Sequence, residues 1–251
     1  MRLDKYLSEK YGSRAKAAAA IKSELVLVNG KTCAASYEVK QTDKLEFLQA
    51  EESFVSAGGF KLSKALKDFG FDASGKVFAD VGASNGGFTD CLFQYGAKKV
   101  YCIDVGESQL DKSLLDKNLV IIDNFNARNL SKDIFGERLD GVVIDVSFIS
   151  LTYILEAVSG LLEDGEKVIA LIKPQFECES RKVGKNGIVK DSVTHKRIIE
   201  KIYNFACGCN LAPKKLTNAP IIAGKNHEYL VLLEKCGVPE NIEYLIKSVK
   251  L

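Results

Sequence analysis

The stretch FADVGASNGGFTD, Phe78 to Asp90, holds a strand end, a glycine-rich turn and a helix start in direct succession. Gly82, Gly86 and Gly87 let the backbone come close to a ligand, and the exposed amides of a helix start can hold polar groups. Around it, from Phe54 onward, short β-rich apolar runs (KVFADVG, KKVYCIDV, LVIID, DGVVIDVSF, EKVIALIK) alternate with the amphipathic segments FTDCLFQYG, ISLTYILEAVSGLL and VTHKRIIEKIYNFA. Such alternation predicts a parallel sheet with helices on both faces. The last run, EYLVLLEK, follows LAPKKLTNAP with no helical pattern between them, so these two are expected to pair antiparallel.

The first 48 residues follow another pattern. They predict two short helices, around Arg2 to Tyr11 and Ser13 to Ile21, and short strands around LVLVNGKT and KLEFL, with Ser13 as a helix N-cap and Asn29-Gly30 as a tight turn. Gln49 to Ser53, QAEES, is polar and aperiodic and is read as a linker. The expected organisation is a small α+β unit over 1–48, a linker over 49–53, the α/β domain over 54–237 and a C-terminal tail over 238–251.

The chain has 251 residues, 46% hydrophobic and 27% charged, the balance of an ordinary soluble globular protein. No run reaches the roughly 18 apolar residues of a membrane span, and MRLDKYLSEK lacks the apolar core of a secretion signal, so a cytoplasmic protein with no membrane contact is expected. Seven cysteines form no CxxC pair and there are only two histidines, which speaks against a metal set. Cys207 and Cys209 read as buried small residues. Residues 1–48 carry nine Lys and Arg against six Asp and Glu, an excess of three where the whole chain is +2, so the positive charge is concentrated in the small unit. That hints at a polyanionic partner.

The glycine turn fits a nicotinamide dinucleotide or S-adenosylmethionine (SAM). Asp104 ends the next strand, where a carboxylate can accept both hydroxyls of a ribose. The spacing is G-x-x-x-G-G rather than G-x-G-x-x-G, whereas a pyrophosphate prefers the tighter form. Asp80, just before the turn, better suits the cationic amino acid end of SAM. In an open α/β sheet ligands bind beyond the carboxyl ends of the parallel strands. Asp145 and Lys173 lie at such ends, and an antiparallel EYLVLLEK would bring Glu228 to the same edge. Lys61 precedes the first strand. Lys173 is the hardest to read as a surface charge, because a lysine closing an apolar run needs a partner.

These residues carry a resemblance. Lys61, Asp145, Lys173 and Glu228 look like the K-D-K-E tetrad of FtsJ-type (RrmJ-like) ribose 2′-O-methyltransferases. SAGGFKL, DVGASNGGFTDCL, DVSFIS, KPQFE and GKNGIVKD resemble the TlyA (haemolysin A) group of ribosomal RNA methyltransferases, and RLDKYL, SRAKAAAAI and VLVNGK resemble the RNA-binding domain of ribosomal protein S4. Two positions depart from the family pattern, Ala57 where an arginine is usual and Glu24 where a glycine is usual.

The resemblance implies a Rossmann-like SAM-dependent methyltransferase sheet, mostly parallel with an antiparallel last strand. It implies methylation of a cytidine ribose in large-subunit, and for some members also small-subunit, ribosomal RNA. The expected cofactor contacts are Asp80, Gly82, Ser84, Gly86, Gly87, Phe88, Asp104, Val105, Asn126 and Asp145, and the expected RNA contacts are Arg2, Arg14, Lys16 and Lys22. Lys173 would activate the hydroxyl, either taking its proton or stabilising the alkoxide, roles that need different protonation states. Asp145 and Glu228 would orient it, and Lys61 would hold the ribose or help polarise it. Ribosomal RNA or a ribosomal subunit is the expected partner, and the oligomeric state is left open. The competing readings are an inactive RNA-binding assembly factor, whose mark would be a broken tetrad, a membrane-lytic protein and a dehydrogenase.

Overall fold

The computed structural model describes residues 1–22, 25–47, 53–107, 109–179, 182–184, 186–221 and 224–251, the Lys16 side chain excepted. Glu24 and residues 49–52 of the expected linker lie outside this set. The backbone divides into two units, Met1–Ser53 and Phe54–Leu251.

The first unit holds α1 (Leu3–Tyr6), α2 (Arg14–Lys22), β1 (Val26–Val28) and β2 (Leu45–Phe47), with β1 and β2 antiparallel. Leu3, Leu7, Ala17, Ile21, Val26 and Val28 form its core. α1 ends at Leu7, short of the expected Tyr11. Asn29 and Gly30 take φ of 53° and 75°. Val28 and Lys31 exchange both backbone hydrogen bonds across them, the turn that Asn-Gly favours because both central residues need positive φ.

The second unit is a sheet in the order β5-β4-β3-β6-β7-β9-β8. Its strands are β3 (Val77–Val81), β4 (Lys99–Ile103), β5 (Leu119–Ile122), β6 (Gly141–Ile144), β7 (Lys167–Ile172), β8 (Leu211–Asn218) and β9 (Tyr229–Lys235). β3 to β7 are parallel where they pair, and β9 lies antiparallel between β7 and β8. The helices are α3 (Ala57–Phe69), α4 (Gly87–Gln94), α5 (Leu155–Leu161), α6 (Pro174–Glu177), α7 (Ser192–Gly208) and α8 (Ile242–Lys247).

Successive strand residues point to opposite faces, and the two cores sort accordingly. Val77, Ala79 and Val81 pack with Leu155, Val158, Ile198 and Ile202 of α5 and α7. Phe78 packs with Leu62, Leu66, Phe88 and Leu92 of α3 and α4. Each fully buried leucine there contributes on the order of 1.5–3 kcal/mol. Between β4 and β6 the chain crosses on single 3-10 turns instead of long helices. Pro213 sits on β8 at a register shift, tolerated because an edge strand needs no donor on its outer side.

Residues 238–251 are not a free tail. Asn241 Oδ1 accepts from the amides of Glu243 and Tyr244 to start α8. Leu245 joins the α5/α7 core, with Ile246 and Val249 packed against it. The Asn cap and the apolar spacing 242, 245, 246, 249 carry this helix; six residues make a weak periodic signal. Cys207 and Cys209 are half-buried at the end of α7, less enclosed than expected, and all seven cysteines are free thiols.

Candidate active site

The chain runs from β3 outward to β4 and β5 and then returns to β6 on the other side of β3. That reversal opens a crevice beyond the carboxyl ends of the strands, the place where doubly wound sheets bind ligands. A cavity of about 590 Å³ lies there, lined in part by Gly82, Ser84, Asp104, Val105, Asn126 and Asp145. A smaller cavity of about 140 Å³ shares Gly82, Ser84, Asp145 and Ser147 and adds Gly87, Phe88 and Lys173.

Gly82 explains how the strands can part so closely. Its φ is 87°, and a Cβ there would lie 2.6 Å from the carbonyl oxygen of Asp145. Only glycine lets the β3 exit pass the β6 exit. Gly87 seats α4 on α3, since a Cβ would come within 2.1 Å of Ser56 Oγ. Asp104 is fixed by two backbone donors, Ser84 N to Oδ2 at 2.9 Å and Gly106 N to Oδ1 at 3.1 Å. Asn126 Oδ1 caps the 3-10 turn Ala127–Asn129 by accepting from Arg128 N.

Asp80 and Gly86 do not line either cavity. Asp80 points toward α4 and is fully buried; Thr89 Oγ1 donates to its Oδ2 at 2.7 Å, while its Oδ1 has no hydrogen-bond partner among the described residues. Loss of water pushes its carboxyl up to about 7, aided by the nearby charges of Asp145 and Asp104 and opposed by the Thr89 bond. Gly86 turns the chain with φ 87° and packs on Leu114 and Leu110.

Four sequence-distant charges form two pairs at this edge. Lys173, directly after β7, places Nζ 2.5 Å from Asp145 Oδ1, an ion-pair contact without the alignment of a hydrogen bond, and donates to Ser147 Oγ at 2.8 Å. Pro174 follows at the first position of α6, where a missing N–H costs nothing, so the strand turns at once into a helical turn. Lys61, on α3, donates to Glu228 Oε2 at 2.6 Å, just before β9 begins. Gln175 Nε2 donates to the other oxygen of Glu228 at 3.2 Å and so ties the second pair to the turn that carries Lys173. All four side chains are largely enclosed, from 11% to 20% exposed. Lys61 and Glu228 line neither cavity. Ala57 is exposed at the first position of α3, whose N-cap Ser56 accepts from Gly58 N.

Ser147, Gln175, Phe148, Arg128 and Tyr153 were not singled out from sequence. Phe148 is 90% exposed with φ 65°, an uncommon backbone for an aromatic residue, and its ring lies 5.0 Å from that of Phe176. Arg128 stacks over Tyr153 at 4.5 Å on the same rim. A phenylalanine directly after a serine and just past a strand end, as in DVSFIS, is the available signal.

In the small unit Arg2 and Arg14 share one carboxylate. Asp4 accepts from Arg2 at 3.0 and 3.1 Å and from Arg14 at 3.0 Å. The Arg2 hydrogen bonds, with Arg14 beside them, hold Asp4 down to about 2. Both guanidinium groups remain about half exposed. Lys22 is exposed at the end of α2, and Lys16 lies on α2 with its side chain outside the described set. Among the described residues no His, Cys, Asp and Glu cluster could hold a metal ion, and no helix is long and apolar enough to cross a membrane.

The cleft combines apolar walls (Val81, Ile103, Phe125, Ile154) with two carboxylates, Asp104 and Asp145. That set suits a nucleoside attached to a cationic group and is poorly suited to a pyrophosphate.

Comparison with known proteins agrees. The model of the FtsJ-like methyltransferase family matches residues 54–235, and that of the S4 domain matches residues 1–45. Hemolysin A of Brachyspira hyodysenteriae is 42% identical over 236 residues, 92% of this chain and 98% of that protein. The 23S rRNA (cytidine-2′-O)-methyltransferase TlyA of Campylobacter jejuni is 32% identical over 230 residues, covering 83% and 88%. The solved structure of a Streptococcus thermophilus protein described as a hemolysin is 34% identical with a TM-score of 0.74, covering 98% of this chain and 94% of that one. A sheet that opens at the β3/β6 reversal, with a K-D-K-E set paired across its edge, thus belongs to a member of the FtsJ-like methyltransferase family that carries an S4 domain at its N-terminal side.

Proposed function

We propose that the protein methylates the ribose 2′-hydroxyl of a cytidine in ribosomal RNA, with large-subunit RNA as the first target, using SAM. The observation that carries this reading is the Lys173–Asp145 pair at the mouth of a cleft that suits a cationic nucleoside. The Campylobacter relative is named for this reaction on 23S rRNA.

Gly82, Ser84, Asp104, Val105, Asn126 and Asp145 would hold SAM, with Gly87 and Phe88 at its inner end. When bound, SAM supplies a methyl group on a positively charged sulfur. Asp104, aimed by Ser84 N and Gly106 N, would hold the ligand ribose. Lys173 acts on the RNA hydroxyl, holding its proton or the developing negative charge. Asp145 and Ser147 fix two directions around its Nζ. Lys61 positions the ribose, and Glu228 orients Lys61 while Gln175 orients Glu228. Asp80 supports the turn from behind.

The unit over residues 1–48 supplies affinity for RNA phosphates through Arg2, Arg14, Lys16 and Lys22, and residues 54–237 carry the chemistry. An RNA substrate of this kind places the protein in the cytoplasm. Tritium transfer from labelled SAM to ribosomal RNA tests the proposal, and mapping the modified nucleotide identifies the subunit. An RNA that is bound but never labelled would instead identify a binding factor.

A further inference from the structure

Glu177 has no place in the reaction described above, yet it is a charge buried close to it. It closes the run KPQFE, and its side chain is only 2% exposed. Its Oε2 accepts from Ser150 Oγ at 2.5 Å and its Oε1 from the backbone amide of Leu151 at 2.7 Å. Lys201, on α7, closes the cluster with Nζ 3.2 Å from Oε2, 3.1 Å from the Glu177 carbonyl and 3.3 Å from Ser150 Oγ.

The two segments joined in this way are the two that carry the central ion pair. β6 and β7 stay in register to Ile144 and Ala170, and beyond this point the Asp145–Leu151 segment leaves the sheet. The Lys173–Asp145 pair spans the gap, but a partly solvated ion pair contributes too little to hold two backbones in place. Glu177 is anchored differently, by a backbone N–H on one segment and a helical turn on the other. Phe176 adds a second tie by packing on Phe148. A buried charge is a weak source of stability, since apolar groups of similar volume often do as well. What two directed acceptor oxygens add is a fixed geometry.

We infer that Glu177 is a positioning residue, latching the segment that carries Asp145, Ser147 and Phe148 to the turn that carries Lys173. The inference rests on the methyl-transfer reading above. In the full-length protein, Glu177→Ala is expected to lower kcat by roughly 30- to 100-fold, the scale of a displacement of about 1 Å. The KM for RNA and the dissociation constant for SAM, the latter measured by calorimetry, should stay within about threefold of the parent. Glu177→Gln keeps an oxygen for Leu151 N and a group for Ser150, and should return kcat to within about fivefold.

If Glu177→Ala does not fold, Ser150→Ala removes one of the donors to Glu177, together with an acceptor for Lys201 and the cap on Thr152 N, and should cost about three- to tenfold in kcat with SAM binding kept. Parental kcat in Glu177→Ala, or in Ser150→Ala where that is the variant used, overturns the inference. So does a Glu177→Gln variant as impaired as Glu177→Ala, or an equal loss of SAM affinity, which would mark a merely structural role. Lys173→Ala run in parallel separates the two claims. A parent that transfers no label removes the methyl-transfer reading itself, turnover retained in Lys173→Ala removes Lys173 from the chemistry, and an inactive Lys173→Ala beside a fully active Glu177→Ala removes only the latch.

Discussion

Lys61 Nζ and Glu228 Oε2 meet at 2.6 Å although 167 positions separate them in the chain. The contact joins the helix before the first strand of the sheet to the start of its antiparallel strand, and neither residue lines the cofactor cleft. Glu228→Ala is therefore expected to spare SAM binding and to strike turnover. It leaves Lys61 without its carboxylate, and kcat should fall by about 10²–10⁴, the range of acid–base and positioning groups. Calorimetry for SAM beside tritium transfer to RNA checks both halves. An equal loss in each would mean that Glu228 holds up the fold.

Asp80 gives the α/β unit a pH dependence of defined sign. Its carboxyl rises from 3.8 to about 7 on burial, so the folded state binds a proton that the unfolded state releases. Stability from this group is full below pH 3.8, declines as pH rises toward 7, and is flat above it. Asp80→Asn removes the titrating group. The melting temperature of the variant, minus that of the parent, should climb between pH 4.5 and 7 and level off beyond, about the window just derived. A difference that stays constant with pH would show that Asp80 is ionised throughout.

Much of this arrangement was legible in the chain. The runs around Phe78, Tyr101, Val143 and Ile169 gave the strands because apolar residues on both faces leave little alternative to a covered parallel sheet. Asp145 and Lys173 were legible because a strand-terminal charge in an α/β sheet falls at the ligand edge. Asp80 was read as facing the cofactor, and strand alternation, counted from Phe78, sends its side chain toward α4. Gln175 and Glu177 went unread because their partners, Glu228, Ser150 and Leu151, become neighbours only after the sheet has formed. The sharing of Asp4 by Arg2 and Arg14 arises only when α1 and the start of α2 come together in the small unit.

That sharing sets an expectation for RNA binding by the small unit. Arg2 and Arg14 each give up part of their hydrogen-bonding capacity to Asp4, whereas Lys22 stands exposed. Lys22→Gln should lower the slope of log affinity against log salt by about 0.7–0.9, the value of one phosphate contact. Filter binding of ribosomal RNA across a salt series measures it. An unchanged slope would remove Lys22 from the interface.

A buried histidine supports the loop that delivers Glu228. Tyr229 is fully buried and donates to His195 Nδ1 at 2.7 Å; His195 Nε2 faces the carbonyl of Val189 at 2.9 Å. A carbonyl can only accept, so Nε2 carries the proton and Nδ1 accepts from the tyrosine. Asn226 continues the staple, accepting from Val189 N and donating to the carbonyl of Gly187, both at 2.8 Å. Gly187 and Val189 are thereby fastened to the residues on either side of Glu228. Tyr229→Phe keeps the ring but leaves Nδ1 buried without a donor, a loss of about 1–3 kcal/mol. Urea unfolding of the full-length protein should show that loss with an unchanged m-value, since the surface exposed on unfolding is the same. Phe replaces Tyr without altering the packing of the ring, so SAM affinity should hold while kcat falls modestly as Glu228 loosens. Parental stability in Tyr229→Phe would mean that the histidine finds another donor and that the staple rests on Asn226 alone.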